Sequence, residues 1–320
     1  MTGGAMPGAA GRAVLVTGAG GFIGRHLVAR LAADGWQVRA ATRDPAAIPS
    51  APGVTPVQIG DLASRVDWQP LLAGVSRVVH LAGIAHAPHA IPEATYMAVN
   101  SDATRDLATA ARQAGVARLV LVSSVRAQCG PCAAGVLDER IVAAPEDAYG
   151  RSKLAAEHQV ADALAGAGCD WCVLRPVVVY GPGVKANMHA LRQLARTRLP
   201  LPLAGLTGRR SLLGLDTLAD AIAHALTASA TSRATYLVAE PGALTVAQIV
   251  AALRAGSDRA PAIFALPHAP MRLVAGMLGK GAAWSRLAGD LVVSTATFEA
   301  SGWRPRQTAS EGLARWTARG

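Results

Sequence analysis

Residues 14–24 read Val14-Leu15-Val16-Thr17-Gly18-Ala19-Gly20-Gly21-Phe22-Ile23-Gly24. A β-branched run ends in a glycine-rich turn, and an amphipathic stretch (Gly24–Asp34) follows. Strand, glycine turn and helix start in this order form the context in which such a turn cradles a pyrophosphate. Gly18 permits the tight turn, Gly21 lets the backbone approach the anion, and Gly24 lets the helix pack against the strand. The helix start offers free N–H groups and a partial positive charge. The stretch therefore predicts a dinucleotide site on the first βα unit.

The pattern continues outward. Apolar runs at Ala13–Thr17, Gln37–Ala41, Val54–Ile59, Arg77–Leu81, Arg118–Val122 and Cys172–Val179 alternate with helix-like stretches such as Asn100–Ala114 and Ala148–Gly166. Strands bounded by turns and separated by helices indicate βαβ units, and right-handed crossovers give a Rossmann-type doubly wound parallel sheet. After Gly181 prolines punctuate the chain, yet a helix (Leu215–Ala228) and a strand (Thr235–Ala239) are still expected, with helix and loop beyond. The expected division is a dinucleotide-binding domain over 12–180, with 209–240 returning to it. A smaller C-terminal substrate-binding domain takes 181–208 and 241–318, and residues 1–11 form a loose tail.

At 320 residues, 51% hydrophobic and 16% charged, the chain is long and apolar enough for a sizeable core and is not a disordered composition. Its most apolar stretch, Trp171–Val184, is broken by Arg175 and Pro176, well short of the roughly 20 apolar residues a spanning helix needs. With no leader pattern at the start, a cytoplasmic protein without a membrane partner is expected. The net charge of +10 is scattered and mostly arginine, which suits a small-molecule phosphate better than nucleic acid. Cys129/Cys132 and Cys169/Cys172 form two C-x-x-C pairs. A zinc site or a dithiol is conceivable, but Cys172 lies in a strand-like run where a thiol acts as a small hydrophobe. Reduced thiols and no metal are expected.

Tyr149-Gly150-Arg151-Ser152-Lys153 places a phenol and an amine four residues apart, on one helix face. An ammonium beside a phenol stabilises the phenolate, so the pair suits proton transfer in alcohol/ketone chemistry. Ser124, at the end of a strand, would hydrogen-bond the reacting oxygen.

The G-x-x-G-x-x-G spacing after Thr17, with Tyr-x-x-x-Lys downstream of Ser123-Ser124, resembles the extended branch of the short-chain dehydrogenase/reductase superfamily, and within it the NAD-dependent epimerase/dehydratase group. The resemblance implies Asp61-Leu62 at the adenine and Leu81-Ala82-Gly83 under the adenosine. Phe22, Ile23 and Pro176 are further cofactor neighbours, with Lys153 on the nicotinamide ribose and Tyr149 beside it. Asn100 matches the superfamily's structural Asn, a helix perturbation that organises the site; it could equally cap a helix beginning at Ser101. Thr42 stands where an NAD enzyme usually places an acid on the ribose 2′-OH, and Arg43 follows. An arginine can pair with a 2′-phosphate, so NADP(H) is expected over NAD(H), although Asp44 is adjacent.

The segment Leu174–Gly183, the run Arg209–Asp220 and Gly302-Trp303-Arg304-Pro305 are similar to those of nucleotide-sugar epimerases, dehydratases and reductases. The resemblance implies that Arg209, Asn187 and Arg286 hold the diphosphate of a UDP-sugar, and that His86, Ser124 and Arg126 lie near the sugar. The implied activity is reduction at C4 of a UDP-4-keto-6-deoxy-N-acetylhexosamine for surface polysaccharide (O-antigen). A UDP-hexose 4-epimerase is the close alternative, and a non-catalytic dinucleotide sensor a second one. Val178 replaces the Asn that usually follows Arg-Pro-x. A homodimer through Ser101–Ala114 and Ala148–Gly166 is implied.

Overall fold

Every residue of Arg118–Val122 (β5) is buried, which is the requirement of a central strand in a sheet covered on both faces. The computed structural model describes residues 12–85, 91–266 and 289–318. In it β5 pairs with β4 (Arg77–His80) on one side and β7 (Asp170–Pro176) on the other. The sheet continues through β1 (Ala13–Thr17), β2 (Gln37–Thr42) and β3 (Val54–Gln58), all paired in parallel. With β11 (Ala234–Val238) at the far edge, the order is β3-β2-β1-β4-β5-β7-β11. The order reverses between β1 and β4, so the crevice lies at their carboxyl ends, Thr17 and His80.

Helices cover this sheet: α1 (Phe22–Ala33), the short α2 (Gln69–Leu72) and α3 (Glu93–Tyr96), α4 (Ala103–Gln113) and α5 (Ala148–Ala163). Leu15, Val78, Leu119, Leu121 and Val173 from the strands pack with Leu107 of α4 and Val160 of α5 in one fully enclosed cluster. Each such side chain stabilises the fold by about 1.5–3 kcal/mol.

Two compact units partition the chain. One comprises the described residues up to Ala127, Pro145–Arg175 and Ala219–Tyr236; the other comprises Gln128–Ala144, Pro176–Leu218 and the described residues from Leu237 on. These boundaries differ from those expected, since 128–144 and 209–218 fall in the second unit. There Tyr180, Leu212, Ile249, Leu253, Leu313 and Trp316 form a core of their own. It is built from α6 (Ala186–Ala195), α8 (Val246–Ala255) and α10 (Ala309–Ala318), while α7 (Leu215–Thr227) and α9 (Ala296–Ala300) complete the described helices. No described helix is long and apolar enough to cross a membrane.

Three expectations need correction. The run Cys172–Val179 is two strands, not one. Pro176 has no N–H to extend the ladder, β7 stops there, and β8 (Val178–Tyr180) pairs instead with β10 (Leu212–Gly214). The stretch past Glu240 is not helix and loop alone: β12 (Leu244–Thr245) pairs with β9 (Arg209–Arg210), and β13 (Val292–Val293) with β6 (Val136–Leu137). Two-residue strands carry no readable period. Finally, the helix expected to start at Asn100 starts at Glu93 and passes through a π-helical segment, Met97–Asp102, before α4.

A buried polar thread ties β1, β4 and this helix together. The Thr17 hydroxyl accepts the Leu81 and Ala82 N–H groups (3.2 Å each) and so donates to Nδ1 of His80 (2.7 Å). That leaves His80 Nε2–H to donate to Thr104 Oγ1 (3.0 Å), whose hydroxyl donates to the Asn100 carbonyl (2.6 Å). His80 is 1% exposed. Burial, with the nearby Lys153 charge second, holds its imidazole down to about 3. The unfolded chain takes up that proton near pH 6.5 and the folded chain does not, so stability is full above 6.5 and is lost as pH falls towards 3. His80→Asn should remove up to about 4 kcal/mol of this acid dependence. The check is the slope of unfolding free energy between pH 6.5 and 4, which should be steeper for the unsubstituted protein.

Candidate active site

The site begins with backbone. Gly18 adopts φ +67°, and a Cβ there would stand 2.8 Å from the Ala82 nitrogen. A Cβ on Gly24 would stand 2.2 Å from the Gly18 carbonyl oxygen. Strand, turn, helix and the loop after β4 thus approach more closely than any side chain permits. Gly21 N-caps α1, its N–H bonded to the Gly18 carbonyl (2.9 Å), and no side chain caps the helix. The first-turn N–H groups are left to an anion.

These elements wall a cavity of about 600 Å³. Of the expected cofactor residues, Gly18, Gly21, Thr42, Arg43, Asp61, Leu62, Leu81, Ala82 and Gly83 line it. Asp44, noted in the sequence beside Arg43, lines it too, as do Gly20, Ile59 and Ile84, which sequence reasoning did not single out because they contribute mainly backbone or apolar surface. Phe22, Ile23, Gly24, Asn100, Tyr149, Lys153 and Pro176 are not among the lining residues. Thr42 is buried and Arg43 exposed. The Asp44 carboxylate caps its own turn, accepting the Ala46 N–H (3.1 Å), and Asp61 accepts the Ala63 N–H (3.0 Å). A cradle closed to any Cβ, an uncapped helix start and a cavity of this size fit an extended dinucleotide.

The catalytic candidates belong to the same unit. Asp147 N-caps α5: one carboxylate oxygen accepts the Gly150 N–H (2.7 Å) and the other accepts from Arg126 Nη2 (2.6 Å). A Cβ on Gly150 would lie 2.3 Å from the Arg126 carbonyl, so the glycine lets the helix start close to the strand end that carries Ser124. Tyr149 and Lys153 then share one helix face. After burial, the Ser124 hydroxyl is the group that acts most strongly on the Tyr149 phenol. Burial raises that phenol, Ser124 lowers it, Asp147 raises it and Arg126 lowers it. Lys153 is buried and donates to the Val122 carbonyl (2.9 Å). Burial draws its ammonium down to about 8, with Glu157 countering. The Tyr96 ring lies 6.1 Å from that of Tyr149.

Asn100 links the two halves of this site. Its side chain accepts the Ile84 N–H (2.8 Å) and donates to the Ile84 carbonyl and to Ser152 Oγ (3.0 Å each); Ser152 in turn donates to the Tyr149 carbonyl (2.8 Å). The capping alternative is thereby overturned, since Asn100 sits inside a continuous helix.

The substrate candidates are spread more widely. Arg126 is engaged with Asp147. In the second unit, Asn187 is exposed in the first turn of α6, and Arg209 is exposed on β9, its N–H bonded to Asp290 (2.6 Å). His86 and Arg286 lie outside the described residues. All four cysteines are free thiols. Burial pushes Cys169 up to about 11 and Cys172 up to about 12, as befits small hydrophobes. Cys132 accepts from Arg210 (3.7 Å). Sequence reasoning missed Asp147 and Gly150, although Asp147 followed three residues on by a backbone donor is a readable N-cap pattern.

Comparison with known proteins bears on this arrangement. The NAD dependent epimerase/dehydratase family matches residues 14–239. A UDP-glucose 4-epimerase of Vibrio cholerae is 32% identical over 309 residues, 94% of this chain and 93% of that protein. A ceramide reductase of Caulobacter vibrioides is 34% identical over 204 residues, 63% of this chain and 57% of that one. Among solved structures, MoeE5 in complex with UDP-glucuronic acid and NAD superposes with a TM-score of 0.72 at 28% identity, covering 96% of this chain and 99% of MoeE5. The UDP-glucuronic acid 4-epimerase of Bacillus cereus, at 19% identity and a TM-score of 0.73, shares the fold over 94% of both chains. With glycine cradle, serine, tyrosine and lysine all inside or beside the matched span, this chain belongs to the NAD dependent epimerase/dehydratase family, in the extended short-chain dehydrogenase/reductase branch.

Proposed function

We propose that the chain is a nicotinamide-dinucleotide-dependent oxidoreductase acting at C4 of a UDP-linked hexose. The observation that carries this reading is the Ser124–Tyr149–Lys153 set, tied through Asn100 to the loop of the glycine cradle, in a chain with a UDP-glucose 4-epimerase relative over 94% of its length. Bound, the dinucleotide supplies hydride transfer. Gly18, Gly21 and the start of α1 would hold its pyrophosphate, with Phe22, Ile23 and Gly24 shaping that turn. Asp61 and Leu62 would face the adenine, Leu81–Gly83 the adenosine, and Lys153 and Pro176 the nicotinamide end. Ser124 polarises the oxygen on C4, and Tyr149 moves the proton at that oxygen. Lys153 stabilises the phenolate, offsetting the burial that opposes it. Asn187 and Arg209 are the diphosphate ligands of this reading, and His86, Arg126 and Arg286 complete its substrate set.

The net reaction we favour is NADPH-dependent reduction of a UDP-4-keto-6-deoxy-N-acetylhexosamine, a step suited to surface-polysaccharide precursors. In support, the cavity wall at the end of β2 offers Thr42 and an exposed Arg43 where an NAD enzyme would offer a carboxylate. C4 epimerisation is the second reading, favoured by the name of the Vibrio cholerae relative and by the NAD in MoeE5. A sensing role without catalysis has no support from a site that keeps its serine, phenol and amine.

Incubation with a UDP-4-keto-6-deoxy sugar and NADPH should consume the reduced coenzyme. Incubation with UDP-glucose or UDP-N-acetylglucosamine and no added coenzyme should leave the sugar unchanged, and appearance of the C4 epimer would replace the first reading by the second. Tyr149→Phe should lower kcat by about 10²–10⁴-fold, with dinucleotide binding retained in a fluorescence titration. Arg43→Asp should reduce the preference for NADPH over NADH by about tenfold or more in kcat/KM, through loss of a charge-assisted bond to the 2′-phosphate; an unchanged ratio would remove the case for NADP(H).

A further inference from the structure

Behind the Tyr149–Lys153 face lies a cluster of charge that the proposed reaction does not use. Glu157 follows Lys153 by one turn of α5, and its side chain is 5% exposed. Arg175, on β7 and 9% exposed, grips it as a fork: Nε donates to both carboxylate oxygens (3.0 and 3.1 Å) and Nη2 donates to Oε2 (2.6 Å). The Ser123 hydroxyl donates to Oε1. Ser123 directly precedes Ser124, and Lys153 holds the carbonyl of Val122 just before it. Val122, the last residue of β5, is thus tied to α5 by Lys153 and Ser123 by Glu157, directly before Ser124, whose hydroxyl acts on the Tyr149 phenol.

A buried ion pair of this kind is weak as a source of stability, because an apolar pair of similar volume often does as well. Its placement points elsewhere. The groups acting on or beside the lysine are Glu157 on its own helix and His80 across on β4, with Tyr149 one turn earlier on the same helix face; Asp147 and Arg126 act on Tyr149. His80 is held neutral by burial. Glu157 is the group that favours the ammonium, and it acts against desolvation. The Arg175 fork fixes the distance at which it does so.

We propose that Glu157, clamped by Arg175, is a positioning residue for the reaction: its carboxylate keeps Lys153 charged beside the Tyr149 phenol and anchors the strand end that carries Ser124. This rests on the roles proposed above for Tyr149 and Lys153. The two partners act with opposite sign. Without the carboxylate the buried ammonium loses its counter-charge. Without the guanidinium the carboxylate is released towards the ammonium and a like charge disappears.

The chain has only three lysines, Lys153, Lys185 and Lys280. Lysine side-chain signals of protein labelled with carbon-13 at Cε can therefore be followed against pH, with Lys153→Met to assign the one of interest. Lys153 should titrate near 8 in the unsubstituted protein. Glu157→Gln should move that titration down by about one pH unit and Arg175→Gln should move it up. The pH profile of turnover should follow in the same two directions, with KM little changed. A Lys153 signal that stays in place while the thermal midpoint falls would mean a merely structural pair and overturn the proposal, as would shifts of the same sign in both variants. Each variant has its own sign, so either one decides if the other fails to fold. The titration is read without substrate, so a failed reaction assignment would show in the turnover assays and leave this result standing.

Discussion

The side-chain amide of Asn100 is the constraint on which the working part of this protein depends. It offers one acceptor and two donors, and all are used: the acceptor and one donor on the backbone of Ile84, the other donor on Ser152. Ile84 continues the loop that presses against Gly18, and Ser152 lies between Tyr149 and Lys153 on α5. A buried amide with unmet groups would be costly, so loop and helix are held in one arrangement. The thread through Thr17, His80 and Thr104 fixes the same helix from the other side.

Electrostatics then acts on a rigid frame. Burial opposes every charge the proposed chemistry calls for: it raises the Tyr149 phenol and lowers the Lys153 ammonium. Some neighbours offset part of that opposition, while Asp147 and Tyr96 add to it at the phenol. Arg126, held by the cap residue Asp147, favours the phenolate, as does the Ser124 hydroxyl, while Glu157 favours the ammonium.

Much of this was legible in the sequence, for particular reasons. The run Ala13–Thr17 and its glycines could be placed because glycine spacing reports a backbone requirement directly, and the structure confirms it at Gly18 and Gly24. Arg118–Val122 matched residue for residue because a strand buried on both faces is a plain apolar run. Tyr149, Lys153 and Ser124 were identified from spacing and resemblance. The break at Pro176, the two-residue strands of the second unit and the true start of the Asn100 helix were not legible. Those features arise from pairing with distant segments rather than from any local period. The Arg175–Glu157 fork was hidden for the same reason, since its members are joined only by the fold.

The widened turn at Met97–Asp102 has a consequence for the history and the engineering of this helix. A π turn amounts to one residue too many for the regular spiral. Removing a single residue there would let the chain wind evenly from Glu93 to Gln113, the turns on either side keeping their faces while the residues within the segment change theirs. Asn100 would then point away from Ile84 with its chemistry intact but its aim lost. Tolerance of insertions and deletions along this helix should therefore be lowest at a spot where no side chain is aromatic and none is charged except Asp102.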